Sequence, residues 1–212
     1  MNQNHDTTIE ALVKDLAPVR KPLAPIFIAF LWWLVSWFLV IGVMLAYEPM
    51  RPGALNDFVS HPQFALESVV GLMGGFLLSV AAFRQSIPGL SNTRLMPLVI
   101  FLLVAWVLAY VAGFVSPALE TGMLGKREHC PLEALLYPLP GILGAAWLFR
   151  ARYSTDYTSA GLLVGLAAGA MPALFMQFAC MYEPAHILKY HLSPVPIVAL
   201  VSVALFYFVR KR

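Results

Sequence analysis

From Pro25 to Tyr47 the chain runs 23 residues without one charged side chain. A helix of that length is about 35 Å long, enough to cross a hydrocarbon core of about 30 Å. Five further apolar runs follow, near 64–83, 95–115, 131–149, 158–181 and 192–209. Six such runs in 212 residues leave no room for a soluble domain large enough to bury them. The chain is 60% hydrophobic and 12% charged, where a soluble domain carries about 25% charged residues. The same numbers exclude disorder, and two cysteines are too few for a disulfide scaffold. The expectation is an all-α membrane protein: a polar tail over 1–24 and a six-transmembrane-helix bundle over 25–212. The first run is not expected to be a cleaved leader. Its flank is long and of mixed charge, and it ends at Ala46-Tyr47-Glu48-Pro49, which is not a small-x-small cleavage site.

Lys and Arg set the expected orientation, because basic residues collect in cytoplasmic loops. Ten (Lys14, Arg20, Lys21, Arg84, Arg94, Arg150, Arg152, Arg210, Lys211 and Arg212) fall on one side, and four (Arg51, Lys126, Arg127 and Lys189) on the other. Both termini are therefore expected inside. The net charge of +3 reads as topology, and no direct nucleic-acid contact is expected.

Within the tail, Thr7-Thr8-Ile9-Glu10 has the form of a capping box. Ile9, Leu12, Val13 and Leu16 then recur at the spacing of one helical face, until Pro18 ends the pattern. A helix of about ten residues is marginal in water and needs a surface to lie on. The lipid interface is one such surface, although Glu10 and Asp15 beside Lys14 match anionic lipid poorly. A groove on a cytoplasmic protein, read through the four apolar anchors, is the other.

Both cysteines fall at the opposite end. Cys130 opens the fourth run, with Pro131 suited to a first helical turn, and Cys180 closes the fifth. Counted outward from the short loop at 150–157, the two differ in depth by roughly 5 Å, so they can meet on neighbouring helices. Gly161, Gly165, Gly169 and Ala173 form a stripe of small residues that permits close helix packing, and Cys180 follows nearly on that stripe. The stripe also leaves room for a homo-oligomer. Gln177 is its main polar member and is expected to bond across helices. His129, His186 and His191 lie at the same end. Thiolates with imidazoles suit soft-to-borderline metals, so Cys130, Cys180, His129, His186 and His191 are the candidate metal ligands. The spacing is not a tight metal motif. Three readings stand side by side: a disulfide or plain packing, a redox- or metal-sensing thiol pair, and a catalytic pair.

No Walker loop, G-x-S-x-G, H-E-x-x-H or G-x-G-x-x-G occurs, and no enzyme is expected. Glu67, read as a first-turn acid of the second helix, is the nearest thing to a membrane charge. No charge sits mid-span, which counts against an ion-coupled transporter. A thiol-redox enzyme would want a C-x-x-C pair, which is absent.

The tail Asp6-Thr7-Thr8-Ile9-Glu10-Ala11-Leu12-Val13-Lys14-Asp15-Leu16-Ala17-Pro18-Val19, the stretch Ala82-Phe83-Arg84-Gln85-Ser86-Ile87-Pro88-Gly89, and the placement of Cys130 and Cys180 resemble the NrsF family. Its members are negative regulators of sigma-F, six-span inner-membrane anti-sigma factors of proteobacteria. The segment after Cys180 keeps an acid-rich turn and His191 but departs from the family's Cys-Pro-Glu form. The resemblance implies that the tail, through Ile9, Leu12, Val13 and Leu16, holds an ECF sigma factor at the membrane. It implies that Cys130 and Cys180 receive an oxidative or heavy-metal stress signal. No resident cofactor is implied; a heavy-metal ion would bind only transiently.

Overall fold

The computed structural model describes Glu10, Val13 and residues 23–90, 92–150 and 156–210. Among these residues there is no strand. The helices are α1 (Pro25–Tyr47), α2 (Ala54–Ser60), α3 (Pro62–Arg84), α4 (Met96–Ala112), α5 (Cys130–Leu136), α6 (Leu139–Arg150), α7 (Tyr157–Ala179), α8 (Pro184–His186) and α9 (Pro194–Arg210). A π-helical turn, Ile187–Leu192, joins the last two. Proline stands at the first or second position of α1, α3, α4 and α5, where its missing N–H has no helical partner to lose. α7 opens instead on Asp156, whose carboxylate accepts the Ser159 N–H at 2.9 Å.

Five stretches are long and apolar enough to cross a membrane: Pro25–Tyr47, Pro62–Arg84, Cys130–Arg150, Tyr157–Ala179 and Pro184–Val209. The remaining apolar run, expected at 95–115, is α4, with 17 helical residues or about 25 Å. The expected helix at 131–149 breaks at Tyr137–Pro138 into α5 and α6, because Pro138 and Pro140 both lack the N–H that a continuous ladder needs. Pro172 sits inside α7 without interrupting it. The last span starts well before the expected residue 192, because α8 and the π turn extend it toward Pro184.

α7 is the central helix. It packs most extensively on α9 and next on α3, which in turn packs on α1 and α4. Its small residues make this geometry available. A Cβ on Gly165 would lie 2.5 Å from the Ala199 Cα, and one on Gly161 would lie 2.9 Å from the Phe206 Cβ. Gly169 continues the stripe, with Val195 Cγ1 3.2 Å from where its Cβ would be. The stripe therefore faces α9 of the same chain. The outer helices turn large apolar side chains such as Phe38 and Phe101 away from the bundle, a surface suited to lipid rather than water.

The chain order gives the bundle two distinct ends. α1 begins, and α3 and α6 finish, at an end marked by Arg84, Arg94 and Arg150. The opposite end holds the tip of α1, the start of α5 and the finish of α7, with both cysteines.

Candidate functional site

At the cysteine end, α7 stops at Ala179 and the backbone straightens at Cys180 (φ −111°, ψ 177°). This extended residue turns the Cys180 side chain toward the first residue of α5. The two sulfurs meet at 2.9 Å as free thiols. The single Cys130 S–H is shared between the Cys180 sulfur and the Arg127 carbonyl, which lies at 3.3 Å. Cys130 is 1% exposed and Cys180 is 0% exposed.

Two histidines complete the cluster. His186 Nε2 lies 3.5 Å from the Cys180 sulfur, and one donor atom from each of Cys130, Cys180, His186 and His191 falls within 4.8 Å of all the others. In an α-helix, residues five apart point roughly 140° away from each other. The π turn removes that divergence: its i→i+5 closure, Ser193 N–H to Leu188 carbonyl at 3.1 Å, widens the coil so that His186 and His191 share a side. Their rings meet edge to face with centroids 5.1 Å apart. His191 is 0% exposed, and its ring meets the Cys180 thiol without a well-aligned hydrogen bond at either nitrogen. His129, the third candidate, is not in the cluster. It precedes α5 on the loop and is exposed, because consecutive side chains at a helix start point to different sides.

The electrostatics favour Cys180 over Cys130 as the thiolate. The hydrogen bond from Cys130 holds the Cys180 thiol well below its ordinary value, against burial, and the nearby His191 pulls the same way.

Arg127 ties this cluster to the rest of the fold, although in the sequence it is one of a few loop charges. Its guanidinium is buried and donates to Glu133 at 2.9 Å, to the carbonyls of Glu48 and Pro49 at 2.6 and 3.2 Å, and to Ala179 at 3.3 Å. One side chain thus joins α5, the tip of α1 and the end of α7. Nothing in Lys126-Arg127-Glu128 announces this.

Two residues beyond Cys180, Tyr182 donates to Glu67 at 3.0 Å and accepts the Ala118 N–H at 3.2 Å. Burial first, and then the charge of Glu67, push the Tyr182 phenol above its ordinary value, so it remains a donor. Glu67 is 2% exposed and sits in the second turn of α3, which begins at Pro62. It is therefore a bundle residue and not the interfacial first-turn acid expected. Gln177 bonds across helices as anticipated, to Ser68 at 2.5 Å and to Tyr110.

The match that decides the family spans nearly the whole fold. A family model described as "Negative regulator of sigma F" (NrsF) matches residues 12–209. The chain belongs to the NrsF family. It is accordingly a negative regulator of a sigma factor, and membership in a regulator family points to a role other than catalysis. No curated protein and no solved structure matches the chain. The NrsF match begins inside the tail, and of the four tail anchors only Val13 is described: it is helical and 60% exposed. Ile9, Leu12 and Leu16 lie outside the described residues.

At the arginine end, the stretch from Ala82 to Gly89 makes a compact turn. Ser86 Oγ donates to the Phe83 carbonyl at 2.6 Å, and Gly89 takes φ 78°, which a side chain would disfavour. Arg84 Nε donates to Asn92 Oδ1 at 2.9 Å, and Asn92 donates to the Ala81 carbonyl at 2.8 Å.

Proposed function

We propose that this chain is a six-span anti-sigma factor of a bacterial inner membrane, with both termini in the cytoplasm. It holds an ECF-type sigma factor through Ile9, Leu12, Val13 and Leu16 and releases it when an oxidative or heavy-metal signal reaches Cys130 and Cys180. The distribution of Lys and Arg supports the orientation, and family membership supports the sigma partner. The observation that carries the sensing half is the meeting of the chain's two cysteines at 2.9 Å, buried among histidines at one end of the bundle.

A contact route from input to output supports the reading. Cys130 bonds the Arg127 carbonyl, and the Arg127 side chain grips the Glu48 and Pro49 carbonyls at the tip of α1. α1 is a rod of 23 residues whose other end continues directly into the tail. A change at the thiols that loosens Arg127 alters how α1 is seated. Signalling then requires that the two seatings differ in sigma affinity.

The test is co-purification of the sigma factor with full-length protein in detergent. Leu12→Asp with Leu16→Asp is expected to lose the sigma factor, while the bundle keeps its thermal transition. Undiminished capture by that double variant would remove the tail from the proposal.

A further inference from the structure

The cluster at the cysteine end holds one feature that thiol chemistry alone leaves unexplained. His191 is fully buried, and apart from the neighbouring Cys180 thiol neither ring nitrogen meets a partner. A buried polar group short of partners is destabilising, and an apolar residue would fill the same place without that penalty. The position of His191 makes sense if something absent from the bare chain bonds to it.

We infer that Cys130, Cys180, His186 and His191 form a preformed four-coordinate site for one soft-to-borderline divalent metal ion, of the Zn²⁺ or Cd²⁺ class. The inference deepens the sensing reading by naming the ligand of the input site and its full donor set. Four donors around Zn²⁺, with Zn–S about 2.3 Å and Zn–N about 2.0–2.1 Å, lie roughly 3.4–3.8 Å from one another. Here the Cys180 sulfur and His186 Nε2 are 3.5 Å apart, the two sulfurs are 2.9 Å apart, and no pair in the set exceeds 4.8 Å. Shifts of about an ångström close the coordination shell.

Charge supports the same donor set. Two thiolates and two neutral imidazoles around a divalent ion sum to zero, the sum a buried site tolerates best. The nearby carboxylate of Glu133 adds no uncompensated charge, since Arg127 holds it at 2.9 Å. His186, the one member not fully buried, marks the route in.

Coordination also supplies a structural consequence. The ion takes the place of the thiol protons, which leave to solvent, and the metal is neither oxidised nor reduced. Cys130 then has no proton to share between the Cys180 sulfur and the Arg127 carbonyl, so its part of the 3.3 Å hydrogen bond to that carbonyl is lost. That bond belongs to the residue whose side chain grips the tip of α1.

The experiment uses full-length protein in detergent micelles under reducing conditions, titrated with Co²⁺ as a spectroscopic probe and then challenged with Zn²⁺ and Cd²⁺. The expected result is a 1:1 complex with the intense visible bands of four-coordinate Co²⁺ and a sulfur-to-metal charge-transfer band, displaced by either competing ion. His186→Ala and His191→Ala should each weaken binding by about 100-fold and change the visible spectrum, while His129→Ala leaves both unchanged. Wild-type binding and spectra in both histidine variants would overturn the inference, since a two-thiolate site would then suffice. So would a six-coordinate spectrum, or no 1:1 complex at micromolar Co²⁺. If His191→Ala fails to fold, the partly exposed His186→Ala carries the same test. Because no sigma factor is present, failure here leaves the anti-sigma reading to its own test.

Discussion

Two buried polar clusters lie side by side at the cysteine end, and they are built on opposite principles. Around Arg127, donors and acceptors are matched: Glu133 and three backbone carbonyls take up the guanidinium. A few ångströms away, two thiols lie against each other and His191 has only the Cys180 thiol beside its two ring nitrogens. The first arrangement is complete within the chain and serves to hold α1, α5 and α7 together. The second is the one we propose a metal ion completes. A burial pattern alone would not separate them, since Arg127 and His191 are both buried; partner accounting does.

The contrast can be broken most forcefully at Arg127. Arg127→Ala leaves Glu133 as a buried, unpaired charge, a loss of about 3–5 kcal/mol. This should lower the melting temperature by roughly 6–20 °C. A drop of only a degree or two would mean that the clamp is not structural. Next in size is the effect of filling the open cluster. Zn²⁺ at a hundredfold excess over its Kd should stabilise the reduced wild-type protein by about 2.7 kcal/mol, seen as a shift of the melting curve that Cys130→Ser with Cys180→Ser abolishes. Tyr182→Phe strips Glu67 and the Ala118 N–H of a partner and should cost about 1–3 kcal/mol, with or without metal. Metal-dependent destabilisation would instead join Tyr182 to the cysteine–histidine cluster. The smallest effect is the most discriminating. His191→Leu should leave the metal-free protein within about 1 kcal/mol of wild type, or more stable, because it removes an unsatisfied group. A loss as large as that of Arg127→Ala would erase the distinction between the clusters.

Much of the architecture is legible in hydropathy, because a run such as Pro25–Tyr47 has only one stable solution in lipid. The glycine stripe announces which face of α7 another helix can approach, and Gln177 on that stripe announces a cross-helix bond. What stayed hidden depends on geometry that no pattern encodes. The π turn that aligns His186 with His191 is set by tertiary packing, so a five-residue spacing looked too loose for a shared ligand. Arg127 carries no local sign that distant carbonyls surround it. Glu67 was placed one turn too shallow because Pro62, rather than the apolar run itself, starts α3. Prolines were informative in position and ambiguous in effect: Pro138 and Pro140 break a span, whereas Pro172 is absorbed by α7.

The central claim is that the open cluster governs sigma capture. Its most direct test is the amount of sigma factor retained by full-length protein in proteoliposomes, before and after Cd²⁺ is added to the cysteine side. Cd²⁺ is expected to release the sigma factor from wild type and to leave it bound to Cys130→Ser/Cys180→Ser. Equal release from both proteins, or none from either, would contradict the account.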